Sequence, residues 1–189
     1  PSWDYSQFDK NDYGITANYF LGYSDKGVYI GVKVNSAACL WLPNISSGNA
    51  DKMYSKTCIQ VNVLDQSPLS EYMLKNGQLG STGTWGAMAV REDHVRQYGF
   101  SGSDAGESYA YVYMTGTHMN MHEDAKYACI FNEAEETITY EVFPPWEEIN
   151  VDPEEVVKGF EFSVSVSINS TTSAEAGAKW VNIRARNGG

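Results

Sequence analysis

Gln60 and Asn62 in the run TCIQVNVLD, and Ser163, Ser165 and Ser167 in the run FEFSVSVSI, sit at alternate positions, so each set faces one side of an extended chain. Short uncharged side chains on such a wall leave room for a ligand and offer it hydrogen-bond donors and acceptors. In Tyr109-Ala-Tyr111-Val-Tyr113, three phenols share one side at the same period. Rings beside short polar groups are what a sugar requires. The C–H faces of a pyranose pack on Trp or Tyr, and its hydroxyls bond to Asn, Gln, Arg and carboxylates. The three phenols read equally as an aromatic platform or as a Tyr-rich core wall, because Tyr is frequent in half-buried strands. Trp85 alternates with Ala87, Ala89 and Arg91, a small-residue face ending in a guanidinium fork. Trp41 and Trp85 border long polar loops, where a ring either touches ligand or covers a sheet edge. Trp146, in Pro144-Pro145-Trp146, and Trp180 read as packing rings.

A second chemistry is written in Met114-x-x-x-His118-Met119-x-Met121-His122, which gathers two of the three His with soft thioethers, the donors of copper or of a haem axial pair. The simpler reading is a polar loop between strands. A visible absorbance scan separates the two, since haem gives a Soret band. Hydrolysis of a glycosidic bond needs two carboxylates facing across a cleft. Only Glu141 and Glu161 fall at outward-facing strand positions, and G-x-S-x-G, P-loop and H-E-x-x-H motifs are absent, so no enzyme is expected. The acidic clusters EEIN, DPEE and EAEE read as solvated turns.

The 189 residues, 42% of them hydrophobic, suffice for one core, and a single domain over 1–189 is expected. Thirteen basic against 24 acidic residues give a net charge of −11, which argues against nucleic acid and favours an uncharged or cationic partner. No run of about 18 apolar residues occurs, so no membrane span is expected. The chain starts at Pro1 with no charged or apolar leader, so any export signal or neighbouring domain is expected to lie outside it. Cys39, Cys58 and Cys129 allow at most one disulfide and lack zinc-finger spacing.

The elements that must position these groups are strands. Residues 1–12 form an entry segment with at most one edge strand. GITANYFLGYSDKGVYIGVKVN reads as a hairpin turning at Ser24-Asp25-Lys26-Gly27, with Val28, Ile30, Val32 and Val34 inward. After a loop over 36–56 comes TCIQVNVLD, with Ile59, Val61 and Val63 inward. SEYMLKN suggests a helical turn within a long polar stretch. TWGAMAVRE, a loop over 93–106, SYAYVYMT, KYACIFN, TITYEVF, FEFSVSVSI and KWVNIRA complete the series. The fold class is therefore all-β, an antiparallel jelly-roll-like β-sandwich of about nine strands with long loops.

The VYIGVKV hairpin strand, the IQVxVxD strand, the EVFPPWEEI turn and the strand GFEFSVSVSIN together resemble family 9 carbohydrate-binding modules and the related DOMON group, over roughly 15–187. The resemblance implies two antiparallel sheets, sugar held on a concave polar face between rings, and structural calcium held by loop carboxylates. It places the first stacking aromatic on Tyr54 and polar contacts on Gln60 and on Ser165, a shorter side chain than the family's. The family's second stacking Trp falls in TTSAEAGAK, which has no aromatic. From its DOMON side it also implies the haem alternative. The resulting expectation is a non-catalytic module that binds polysaccharide or oligosaccharide and requires no cofactor. It would be secreted or at the cell surface, covalently linked to neighbouring domains of a larger protein. Tyr54 and Trp85 would stack on sugar rings, Gln60, Asn62 and Arg91 would bond hydroxyls, and Trp41, Tyr111 and Ser165 would add contacts.

Overall fold

The computed structural model describes residues 15–35, 45–66, 94–103, 105–114, 121, 123–171 and 180–184. Nine strands lie among them: β1 (Thr16–Tyr23), β2 (Val28–Asn35), β3 (Cys58–Leu64), β4 (Val95–Gly102), β5 (Ser108–Met114), β6 (Lys126–Asn132), β7 (Thr137–Phe143), β8 (Ser163–Thr171) and β9 (Trp180–Arg184). They form two antiparallel sheets, one ordered β1-β2-β7-β6 and the other β5-β4-β3-β8-β9. The chain thus makes a hairpin in the first sheet, a β3-β4-β5 meander in the second, a return hairpin β6-β7, and a last crossing to β8. The protein is an all-β sandwich, as the alternation predicts.

The inner walls are built by the branched and aromatic residues at alternate strand positions. Val28, Ile30, Val32 and Val34 of β2 and Ile138, Tyr140 and Val142 of β7 face Ile59, Val61 and Val63 of β3 and Val166 and Ile168 of β8, all buried in one cluster. Because side chains alternate strictly along a strand, that inward set fixes the outward one. Ser108 fastens the corner where the two sheets meet: its Oγ accepts from Cys129 N at 2.8 Å and donates to Cys129 O at 3.4 Å, joining β5 to β6.

Trp146 ties the crossing between sheets to the first hairpin. Its indole Nε1 donates to Ser24 O at 2.9 Å, its backbone N donates to Lys26 O at 3.2 Å, and Val28 N donates to Pro144 O at 3.1 Å. Gly27 is required there, since a Cβ would stand 2.3 Å from Pro144 O. Phe160 and Phe162 meet the indole edge to face, with centroids 6.1 and 5.5 Å away. This explains a correction. The strand expected from Phe160 begins instead at Ser163, because Phe160 and Phe162 are spent covering Trp146 before pairing with β3 starts. Glu161 accordingly precedes the strand and is exposed, rather than holding an outward strand position.

The larger correction concerns 93–106, expected as a loop. Val95–Gly102 is β4, paired with β3 on one side and β5 on the other. Its inward set is Arg96, Tyr98, Phe100 and Gly102, so the alternation is broken by a charge and a glycine. Gly102 reads as a turn signal, yet a Cβ there would lie 3.0 Å from Cys129 Sγ. Cys58 and Cys129 are free buried thiols, and burial pushes both up to about 12, so neither ionises near neutral pH. Cys39, residues 1–14, SEYMLKN and TWGAMAVRE lie outside the described residues.

Replacing Trp146 by Ala removes a fully buried ring and leaves Ser24 O without its donor. A stability loss of about 3–5 kcal/mol is expected in urea unfolding. A loss below about 1 kcal/mol would show that the ring does not hold the crossing.

Candidate functional site

β3 lies at the middle of the five-stranded sheet, and its outward residues set the centre of that sheet's outer wall. The register places Gln60 between Gly99 of β4 and Ser167 of β8, with Tyr111 of β5 beyond Gly99. The neighbouring row places Asn62 between Gln97 and Ser165. Adjacent strands are about 4.8 Å apart, so these two rows form a compact patch of amides, hydroxyls and one glycine. Ser165 is exposed, and Gln60, Asn62, Gln97 and Ser167 are half-buried. None of these side chains carries a charge. Of the outward polar set expected from the alternation, Gln60, Asn62, Ser165 and Ser167 are therefore brought together.

One end of this wall carries rings. The 3-10 helix Ala50–Ser55 lies on it, with Met53 fully buried in a small cluster with Ile45, Ala50 and Cys58, against which Tyr109, Tyr111 and Tyr113 pack. Gly99 makes that docking feasible. A Cβ there would stand 2.8 Å from Met53 Sδ and 2.9 Å from the Tyr113 ring, so any side chain would displace the ring. Tyr113 meets Tyr111 edge to face at 4.9 Å and Tyr54 at 6.2 Å. Its hydroxyl accepts from Tyr54 N at 3.2 Å, and burial holds its pKa well above the usual phenol value. The outermost ring is Tyr54, 48% exposed.

Asn169 fixes the other side of Tyr54. It is 1% exposed, and its Nδ2 donates to Tyr54 O at 2.8 Å and lies 3.5 Å from Gln60 Oε1. The exposed ring is thus tied through its own backbone to the strand carrying the serines and to the amide at the centre of the wall. A ring held this way loses little freedom on meeting a ligand, which is what preorganisation requires.

The two readings open for the Tyr109-Tyr111-Tyr113 run resolve into a third arrangement. The phenols lie on the outer wall, outside the inter-sheet core, and are half-buried because the short helix leans on them. That helix was missed in a stretch read as loop, where one buried methionine gives no periodic signal. A further feature escaped the sequence reading at the end of the β3–β4 ladder. His94 Nδ1 lies 2.9 Å from Asp65 Oδ2, with Gln66 Nε2 3.1 Å from the same nitrogen, and Asp65 N donates to His94 O. The 29 residues separating the pair hid it; the carboxylate orients the imidazole, which also borders a segment outside the described residues.

Trp41, Trp85 and Arg91 lie outside the described residues, as do His118, Met119 and His122. Met121 is half-buried against the main core. Among the described residues no group of three or more His, Cys, Asp or Glu is arranged to hold a metal. DPEE and EAEE stand exposed, with Glu135 paired to Lys33 at 3.1 Å, but EEIN is not a solvated turn throughout: Glu148 is half-buried, its carbonyl accepting from Tyr98 Oη at 3.3 Å, and Ile149 is buried in the core.

No family model matches the sequence, and no curated protein matches it. Among solved structures the chain is similar to a candidate carbohydrate-binding protein from Bacteroides uniformis. The identity is 10%, with 94% of this chain and 73% of that chain covered, at a TM-score of 0.42.

Asn169→Ala deletes the buried amide that donates to Tyr54 O. A loss of about 1–3 kcal/mol is expected in chemical denaturation. An unchanged denaturation midpoint would mean that the short helix docks without this bond.

Proposed function

We propose that this chain is a non-catalytic carbohydrate-binding module whose ligand lies on the outer wall of the five-stranded sheet. The observation that carries the reading is the exposed Tyr54, whose backbone carbonyl shares the Asn169 Nδ2 donor with Gln60 Oε1, together with the uncharged patch of Asn62, Gln97, Ser165 and Ser167. A pyranose placed there has its C–H face on Tyr54, with Tyr113 next along the ring cluster and Tyr111 beyond it. Its hydroxyls reach amides that both donate and accept, and serines short enough to let the sugar approach the sheet. The net charge of −11 fits a neutral ligand, because an anionic one would be repelled before it arrived.

On this reading the module delivers a larger secreted protein to plant-type polysaccharide, and the linked domains supply whatever catalysis follows. Binding needs no cofactor in the wall itself.

Affinity electrophoresis in gels containing soluble β-glucan, xylan, mannan or starch tests the reading. Tyr54→Ala should weaken retention in the gel that retards the native protein by about tenfold, a change of about 1.4 kcal/mol, with the melting temperature little altered. Unchanged retention, or loss of retention together with loss of stability, would count against Tyr54 as a ligand contact.

A further inference from the structure

The opposite side of the sandwich carries an arrangement that the proposed function does not use. On the outer wall of the four-stranded sheet, Glu141 of β7 is flanked by Gly31 of β2 and Ala128 of β6. Gly31 yields its space to Phe20 and Tyr29, and Ala128 carries only a methyl group, so the carboxylate stands in cleared space on the Ala128 side. An open hollow of about 180 Å³ occupies that space, lined by Tyr29, Lys126, Ala128, Glu141 and Phe143. Tyr29 Oη donates to Glu141 Oε1 at 3.0 Å and holds the carboxylate in position. Tyr29 is 38% exposed, and Phe20 is 57% exposed on β1 beside it. A Cβ at Gly31 would lie 3.3 Å from Phe20 Cβ and 3.4 Å from Tyr29 Cε1, so the glycine lets both side chains settle over the sheet.

We propose that this hollow is a second ligand site, taking one neutral pyranose unit with a C–H face on Tyr29 and Phe143 and hydroxyls on Glu141 and Lys126. Size, charge and surface each narrow the ligand. The volume lies below the roughly 300–1,000 Å³ of sites that enclose a drug-sized molecule, so one ring fits and an extended ligand must run out through the open side. One carboxylate and one ammonium line the hollow, so its local charge balances and favours neither ion, while the acidic chain as a whole repels anions. What remains is a neutral molecule with both an apolar face and many hydroxyls. A carboxylate accepting from two adjacent hydroxyls and an ammonium donating to a third are charge-assisted bonds, about twice as strong as neutral ones. Because the two walls face away from each other, a module that also binds sugar on the five-stranded sheet, as proposed above, would bridge two glycan chains.

Titration of the ¹⁵N-labelled protein with D-glucose, D-xylose, D-mannose and D-galactose reads the two walls separately. At least one sugar should produce saturable shifts at the amides of Tyr29, Ala128 and Glu141. Glu141→Ala, which removes the acceptor, and Ala128→Leu, which fills the hollow, should each raise that Kd by tenfold or more while the melting temperature holds. The absence of saturable shifts there with all four sugars, or an unchanged Kd in both variants, overturns the proposal. Shifts confined to Gln60, Asn62 and Ser165 overturn the second site and leave the first standing. Shifts confined to Tyr29, Ala128 and Glu141 support the second site and count against the first.

Discussion

The strict two-residue period of β3 and β8 determines more of this molecule than any single contact. Once Ile59, Val61, Val63, Val166 and Ile168 are committed to the space between the sheets, Gln60, Asn62, Ser165 and Ser167 have nowhere to point but outward. A register slip of one residue would bury four polar side chains without partners and expose the branched residues, at a cost of several kcal/mol for the polar groups alone. The same alternation that closes the core therefore also makes a small, uncharged wall. β3 is paired on both edges, so that wall is continuous across β4, β3 and β8.

Holding such a wall open poses a second physical problem, because a ligand also needs apolar surface. The ring cluster meets that need at one end only. Gly99 gives way to Met53 and Tyr113, Tyr113 accepts from the backbone of Tyr54, and Asn169 holds Tyr54 from the other side. These contacts are short-range and specific, so the exposed ring inherits the rigidity of the sheet beneath it. The indole that pins the crossing between sheets is enclosed by contrast: Trp146 is buried, its Nε1 bonded to Ser24 O and its faces met by Phe160 and Phe162. Rings that stabilise the fold and rings available to a ligand are thus separated in space.

How much of this could be read from residues alone follows from which forces leave a periodic trace. β2, β3, β5, β6 and β7 were legible because aliphatic or aromatic residues recur every second position, and the outward polar set followed at no further cost in inference. β4 was illegible because the sheet's needs at that strand are idiosyncratic. Gly99 clears space for a ring, Gly102 clears space for Cys129, and Arg96 interrupts the inward set. Each glycine looks like a turn when its neighbour across the sheet is unknown. The helix under Tyr54 and the Asp65–His94 pair were hidden for the same reason: both depend on partners distant in the chain. Tyr54 itself was reached only through resemblance to known sugar-binding modules, since a lone ring in a stretch without period leaves no trace of its 48% exposure.

The central claim is that the outer wall of the five-stranded sheet is kept low so that carbohydrate can lie on it. Ser165 is the most direct handle, since it is exposed and stands opposite Asn62 in the middle of the wall. A glycan array comparing the native chain with Ser165→Arg, which raises a long side chain from the middle of the wall, should show binding by the native chain and its loss in the variant, with the melting temperature unchanged. Equal binding by both, or no glycan bound by the native chain, would contradict the account.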